Sequence, residues 1–244
     1  SLPIEPYLFG VLLGDATFPK SGSPVACTDI EILSQYPGQI TEHESEGIGY
    51  LRFGWLRDAI RSLGLQGKRS WEKFVPEEYL LGSPDQRLAL LQGLMDTDGS
   101  PITQGGGTEF SSTAEALCDA VVYLTESLGG VARKKGPRMT QCNGKDGRPS
   151  WRVNVKLPEY LCPFRLSRKK NAWIRPTKYL PQRRVESIIE EPDEDCVCIQ
   201  IDAADSLYVT RHHIVTHNTV STLTAIVDLM DHLLVPGVLI IAPV

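Results

Sequence analysis

The sequence predicts an α+β fold in which one structural unit occurs twice and a region of short β-strands follows. Two apolar helix-like runs, at residues 7–16 and 90–99, carry a glycine and an aspartate at the same spacing. Each run is followed by strand and helix patterns in the same order. Nearer the C-terminus, the β-rich segments 196–201 and 207–210 flank a turn-prone stretch. These patterns divide the chain into three predicted regions, 1–181, 182–218 and 219–244.

The two apolar runs predict a pair of packed helices. Gly10 precedes Asp15 by five residues, and Gly93 precedes Asp98 by the same spacing. A glycine inside a helix costs about 1 kcal/mol, which close packing of the two helices would explain. Helices that touch along these glycines would bring both aspartates together at one end. A carboxylate is disfavoured at a helix C-terminus and repels its neighbour, so a hard divalent cation such as Mg²⁺ is expected there.

Both halves of the first region show the same succession of patterns after the apolar run. Segments 28–36 and 55–65 predict helices in the first half, and segment 114–128 predicts one in the second. Strand patterns lie at 39–43, 48–53 and 109–112. Each half is therefore predicted to run helix, strands, helix, strands, which makes the region a pseudo-twofold repeat.

The overall charge hides a strongly basic segment. The chain has a formal net charge of −5, but residues 131–184 hold 16 of the 25 lysines and arginines and only two acids, Asp146 and Glu159. This segment therefore has a net charge of +14 and the remainder −19. Such a segment is typical of a surface that binds the phosphate backbone of nucleic acid. A solvated, loop-rich surface is the alternative that charge alone leaves open.

The paired runs resemble the motifs of the LAGLIDADG homing endonucleases. The second run is close to the complete motif, whereas the first has Ala16 where glycine is usual. The resemblance implies a saddle-shaped αββαββα repeat whose strands face double-stranded DNA, reading base edges while lysine and arginine hold phosphates. It also implies Mg²⁺-dependent double-strand cleavage with Asp15 and Asp98 as catalytic metal ligands. Because both motifs lie in one chain, a monomer is expected.

A lysine-to-proline segment occurs in each half. Lys73-Phe74-Val75-Pro76 in the first half is echoed by Lys178-Tyr179-Leu180-Pro181 in the second. The resemblance to the endonucleases implies an active-site lysine in such a segment, which makes Lys73 a candidate catalytic residue. A surface lysine before a helix is the alternative. In the second half, Lys169 and Lys170 compete with Lys178 for the equivalent position.

The tripeptide His217-Asn218-Thr219 places an amide between an imidazole and a hydroxyl. The side-chain nitrogen of Asn218 can attack its own carbonyl carbon to form a succinimide, while His217 protonates the departing nitrogen of Thr219 as general acid. The hydroxyl of Thr219 can accept an acyl chain. This chemistry needs no cofactor. For an isolated tripeptide, a turn without chemistry is the alternative.

Residues 184–219 resemble the C-terminal splicing region of inteins, with the segments 207–210 and 214–219 in the expected order. The resemblance implies part of an all-β Hint-type splicing domain. Cys198 and Thr216 also resemble two members of the Trp-Cys-Thr triplet of class 3 inteins. This implies that Cys198 takes the upstream acyl chain as a thioester before Thr219 receives it. A strand cysteine packed in a core is the alternative for Cys198.

The last stretch of the chain differs in character from the rest. Residues 219–234 predict a helix, and residues 237–243 predict a buried strand of a parallel sheet. This stretch resembles the segment after the phosphate-binding lysine in Swi/Snf-type helicase-like ATPases, which implies that Thr219 completes the phosphate loop of a host protein. We therefore expect an intein fragment that lacks its N-terminal splicing segment and continues into its C-terminal extein.

The cysteines and the apolar C-terminal segment indicate where in the cell the protein is expected. The six cysteines form no C-x-x-C pair, which favours a reducing, cytoplasmic location. The apolar tail at residues 233–244 is short and contains two prolines, and no signal peptide is visible, so no membrane span is predicted.

Together these patterns predict an intein segment that combines cleavage of an intein-less host allele with C-terminal protein splicing. One alternative is a DNA-binding module that keeps the LAGLIDADG fold without catalysis, which the retention of Asp15 and Asp98 disfavours. The other assigns the main activity to the helicase-like ATPase of the host, which would need a Gly-rich phosphate loop that this sequence lacks.

Overall fold

The computed structural model describes residues 2–36, 39–42, 48–102, 107–142, 145–175, 181, 182, 187, 189, 192, 201, 202, 204, 205 and 207–217. The chain divides into two compact units, residues 1–182 and 183–244. The larger unit is a mixed α/β structure in two halves.

The first half begins with the apolar helix and alternates strands and helices. Its elements are α1 (Pro6–Asp15), β1 (Ala16–Thr17), β2 (Val25–Asp29), α2 (Ile30–Leu33), β3 (Gln39–Glu42), β4 (Ile48–Arg52), α3 (Arg57–Ser62) and α4 (Glu77–Leu80). Glu5 begins α1, because its carboxylate accepts hydrogen bonds from the backbone N–H groups of Tyr7 and Leu8. Pro6 suits the first helical position, where no N–H is needed.

The second half repeats this order around a longer helix. Its elements are α5 (Pro84–Asp98), β5 (Gly99–Pro101), β6 (Thr108–Ser112), α6 (Glu115–Ser127), β7 (Val131–Cys142), β8 (Lys145–Lys156) and α7 (Ser167–Ala172). Ser83 begins α5 with a capping box, in which Ser83 and Gln86 each accept a hydrogen bond from the other's backbone N–H. From α1 to α3 and from α5 to α7, both halves run αββαββα, the order predicted above.

Each half contains one four-stranded antiparallel sheet. The strand orders are β1-β2-β4-β3 and β5-β6-β8-β7, so the two sheets have the same topology. In the second sheet, Phe110, Val153 and Val155 are buried on the face that packs against α6. In the first sheet, Ala26 and Leu51 are buried in the same core. One face of each sheet therefore belongs to the core and the other is available to solvent.

The helices α1 and α5 pack together through Gly10 and Gly93. A Cβ atom added to either glycine would lie 2.9 Å from the Cα atom of the other and would also collide with backbone carbonyl oxygens of the facing helix. Only glycine allows this approach, so the two helix axes lie close at this point and both helices end side by side.

Two of the predicted helices differ from those observed among the described residues. The predicted helix at 28–36 is shorter, because β2 continues to Asp29, whose side chain then caps α2. The predicted helix at 55–65 consists of a 3-10 turn, Gly54–Leu56, followed by α3. The chain leaves α3 through Gly64, whose φ of 71° lies in the left-handed region that glycine tolerates.

In the second unit, the described residues include one antiparallel hairpin. β9 (Leu207–Val209) pairs with β10 (Val215–His217), with Tyr208 opposite Thr216. Thr210 and Ile214 close the turn, where the Thr210 N–H donates to the Ile214 carbonyl oxygen at 2.9 Å. The prediction of a β-strand at 207–210 is thus confirmed for Leu207–Val209. None of the helices in the described part of the chain has the length and apolar character needed to span a bilayer.

Candidate active site

Asp15 and Asp98 are the last residues of α1 and α5. Burial and, second to it, the negative charge of Asp15 raise the pKa of Asp98 to about 6, against the opposing charges of Lys73 and Lys169. Burial also raises the pKa of Asp15, opposed by a hydrogen bond from Thr28 and by the same two lysines. The two carboxylates therefore share one electrostatic environment, as the motif spacing predicts.

Lys73 is buried at the C-terminal end of α1. Its ammonium group lies 2.7 Å from the carbonyl oxygens of Leu13 and Ala16, and 3.4 and 3.3 Å from those of Leu12 and Gly14. Carbonyl groups at a helix C-terminus lack intrahelical partners, and a cation there also offsets the helix dipole. Burial lowers the pKa of Lys73 to about 8, although the charges of Asp98 and Asp15 oppose the shift.

Lys169 occupies the corresponding place at the C-terminal end of α5. Its ammonium group donates to the carbonyl oxygens of Met95, Asp96 and Thr97 at 3.0, 2.7 and 3.0 Å, and also to that of Gly99. Burial, followed by the charge of Arg168, lowers the pKa of Lys169 to about 8. The site is therefore built twice, with one aspartate and one buried lysine at each helix end.

The sequence pattern makes Lys169 only a competitor of Lys178, which lies outside the described residues. The structure places Lys169 in the position equivalent to Lys73. The hairpin of β7 and β8 is longer than that of β3 and β4, so the spacing from aspartate to lysine differs between the halves. The basic segment also contains many lysines, and nothing in the local pattern separates the buried one from exposed neighbours such as Lys170.

A second carboxylate of α5, Asp96, is buried and was not predicted as a site residue. Its Oδ2 atom accepts hydrogen bonds from the Tyr7 hydroxyl at 2.8 Å and from the backbone N–H groups of Arg165 and Leu166, each at 3.0 Å. Its Oδ1 atom has no partner among the described residues. Because Leu166 directly precedes α7, Asp96 fixes the start of the helix that carries Lys169.

Two polar cavities of about 320 Å³ adjoin the helix ends. One borders Asp98 and is rich in hydroxyl groups; its lining residues are Leu13, Gly14, Ser70, Asp98, Ser111, Ser112, Thr113, Leu117 and Ser150. The other borders Lys73 and includes Thr17, Lys20, Lys68, Arg69 and Ser70. Hydroxyl and cationic side chains of this kind suit a phosphate group with its hydration shell.

The residues present fit a hard divalent cation held only partly by protein. No cluster of three or more histidine, cysteine, aspartate or glutamate side chains that could hold a metal occurs among the residues that the structure describes. The carboxylates of Asp15 and Asp98, each with a raised pKa, are the candidate ligands. Mg²⁺ is often bound by one or two carboxylates together with water and substrate phosphate oxygens, which matches this donor set.

Of the predicted splicing residues, the structure describes Thr216 and His217. Thr216 and His217 lie on β10, where His217 pairs with Leu207 of β9. Cys198, Asn218 and Thr219 lie outside the described residues. Their roles stay predictions from the sequence.

Comparison with known families gives one match within the chain. Residues 85–157 match the family described as "LAGLIDADG-like domain". The matched residues run from the first turn of α5 to the end of β8 and include Asp98. This match confirms the resemblance predicted for the second apolar run.

A curated relative is similar over most of the chain. The chain is 28% identical over 227 residues to "Replicative DNA helicase DnaB" of Mycobacterium intracellulare. The similarity covers 88% of this chain but 35% of the relative, so the chain spans about a third of that protein's length.

Similar solved structures include several of I-DmoI. One, in complex with DNA and Ca, is 14% identical with a TM-score of 0.40, covering 64% of this chain and 83% of that one. Another, from a study of mesophilic variants of the homing endonuclease I-DmoI, is 15% identical with a TM-score of 0.39, covering 64% and 89%.

Proposed function

We propose that the larger unit is a LAGLIDADG-type homing endonuclease that cleaves both strands of an intein-less host allele in the presence of Mg²⁺. The observation that carries this proposal is the duplicated site, in which Asp15 and Asp98 end two glycine-packed helices and each helix end holds a buried lysine. The match of residues 85–157 to a LAGLIDADG-like domain supports it.

Each group at the helix ends has a role that its chemistry suits. Asp15 and Asp98 would hold the cation, which when bound neutralises phosphate charge and lowers the pKa of water. Lys73 and Lys169 keep the two carboxylates in place by fixing the carbonyl groups of the same helix turns, and their positive charge favours the ionised aspartates. The adjoining hydroxyl-rich cavity leaves room for a phosphate.

The test is cleavage of a plasmid that carries the uninterrupted host site. With Mg²⁺, the parent protein is expected to give linear product, and Asp98→Asn is expected to reduce the rate by at least about 10³-fold because it removes a ligand carboxylate at the reacting centre. Asp85→Asn, which removes a carboxylate in the first turn of the same helix, is the matched control. Tight binding of the host site without any product from the parent protein would instead indicate a DNA-binding module that has lost catalysis.

We further propose that the second unit belongs to the C-terminal splicing region of an intein. Cyclisation of Asn218, assisted by His217, would release the downstream chain, and Thr219 would receive the upstream acyl chain from Cys198, with Thr216 next to the junction. An N-terminal splicing segment and the exteins would be the required partners. The monomeric state and a reducing, intracellular location belong to the same proposal.

The host of this intein would be a helicase-like ATPase. The sequence after Asn218 resembles the Swi/Snf type, and the similar protein from Mycobacterium intracellulare is a replicative DNA helicase by name. Sequencing of the gene upstream of residue 1 tests this proposal, because a helicase host requires a Gly-rich phosphate loop interrupted directly before Thr219.

A further inference from the structure

The outer faces of the two sheets can be compared position by position, because the sheets share topology and register. In the first sheet Ala26 pairs with Leu51, and in the second sheet Phe110 pairs with Val153. All four residues are fully buried. Their neighbours along each strand therefore lie on the opposite, outer face.

Equivalent outer positions carry different charge. Arg152 pairs with Lys135 and with Ser111 in the second sheet, whereas Tyr50 pairs with Thr41 and with Cys27 in the first. Two residues further along the same face of the second sheet, Arg133 pairs with Asn154. The corresponding pair in the first sheet is Gln39 with Arg52. The second sheet thus presents three cationic positions where the first has one. Glu109 offsets part of this charge, through an ion pair with Arg152 at 3.3 Å.

The hairpins that complete the two sheets strengthen this difference. Residues 131–156, which form β7 and β8, contain eight lysines and arginines and one acid, a net charge of +7. Residues 39–52, which contain β3 and β4, hold one arginine, Arg52, and no lysine. Not every cation of the longer hairpin faces outward, since Lys134 binds Glu115 and Asp119 of α6 on the core side. Arg133, Lys135 and Arg138 are exposed.

We propose that the duplex is held chiefly by the outer face of the second sheet, and that the first sheet contacts its half of the site mainly through uncharged side chains. This inference rests on the proposed function. Double-stranded DNA carries one negative charge per ~1.7 Å of helix axis, so phosphate binding follows the density of cations on the protein. The paired outer positions Tyr50 and Cys27 of the first sheet carry no charge, so they do not attract phosphate groups. Exposed Tyr50, beside half-buried Cys27, offers apolar surface to bases instead.

The first arm of the test measures how binding of the full-length protein to the uninterrupted host-site duplex depends on salt, in EDTA so that no cleavage occurs. Each lost phosphate contact flattens the slope of log K against log salt by about 1. Arg133→Ala and Lys135→Ala are each expected to do so. Arg52→Ala, which removes the first sheet's outer cation, is the matched control and is expected to change the slope by less than about 0.3. Equal effects of Arg133→Ala and Arg52→Ala would overturn the inference.

The second arm shortens the duplex from one end or the other up to the cleavage centre. One truncation is expected to weaken binding by at least about tenfold more than the other, because it removes the phosphates under the second sheet. The double variant Arg133→Ala/Lys135→Ala is expected to make the two losses similar. Equal losses for the parent protein would refute the inference while leaving the proposed function in place. Failure to bind any intact host-site duplex would reject the proposed function itself.

Discussion

Lys73 and Lys169 each place a buried ammonium group among the last carbonyl groups of a helix. Burial of a charge is costly unless hydrogen bonds replace water, and here several carbonyl oxygens do so at 2.7 to 3.4 Å for Lys73. The same charge lies close enough to influence both aspartates. In each half, one lysine side chain thus binds the last carbonyl groups of the helix and lies near the aspartate with which that helix ends.

Replacement of Lys169 is expected to destabilise the fold. Lys169→Met would keep the apolar stem but leave the carbonyl groups of residues 95–97 without their donor, at a cost of about 2 kcal/mol in the free energy of unfolding. Urea denaturation measures this change. Lys170→Met is the control, because Lys170 is exposed one position along the same helix. A loss of the same size in both variants would contradict the capping role.

Without a divalent cation, the raised pKa of Asp98 makes stability depend on pH. An unfolded aspartate ionises near pH 4, whereas Asp98 in the folded protein ionises near pH 6. Between these values the folded state binds more protons than the unfolded state, so the free energy of unfolding falls as pH rises from about 4 to about 6, by about 2 kcal/mol. Urea denaturation in EDTA at several pH values measures the slope. Asp98→Asn should flatten it, and an unchanged slope in this variant would assign the effect to another group.

At the scale of elements, the contact between α1 and α5 decides where the two aspartates lie. Gly93→Ala places a methyl group against the backbone of α1, so one of the two helices must move. We expect a loss of about 3 kcal/mol in the free energy of unfolding and a lower Tm. Gly54→Ala is the control, since a Cβ atom there meets nothing within 4 Å. Equal tolerance of both alanines would mean that the helices are not in close contact.

The sequence predicted these elements well where local chemistry determines them. The glycine-to-aspartate spacing predicted both the helix contact and the carboxylate pair, because both depend on one helix register. The strands of the hairpin of β7 and β8 were expected from the repeat but could not be assigned to residues, since the outer half of the hairpin is polar and basic and shows no apolar alternation. Lys169 and Asp96 were missed for a different reason, because their burial comes from contacts with residues about 70 positions away along the chain.

At the scale of the whole molecule, the proposed splicing chemistry has a consequence that does not depend on the endonuclease. Cleavage at Asn218 would release residues 219–244 as a separate peptide. Mass spectrometry of the purified chain after prolonged incubation measures this product. Asn218→Ala should abolish it, because alanine cannot cyclise, and Asn171→Ala at an exposed position of α7 should not affect it. Release of the same peptide from Asn218→Ala would point to ordinary proteolysis.

The buried hydrogen bond from Tyr7 to Asp96 joins the two halves, and it can form only when the first half packs against the second. In the aligned helix registers, Leu13 is the counterpart of Asp96, and Leu90 is the counterpart of Tyr7. If two copies of the second half met through Gly93, each buried Asp96 would face Leu90 and lose its hydroxyl donor. A symmetric dimer of the second half would therefore lose this hydrogen bond twice, once in each copy. The two halves repeat one topology, but the hydrogen bond between Tyr7 and Asp96 forms in only one pairing and therefore favours association of the halves within a single chain.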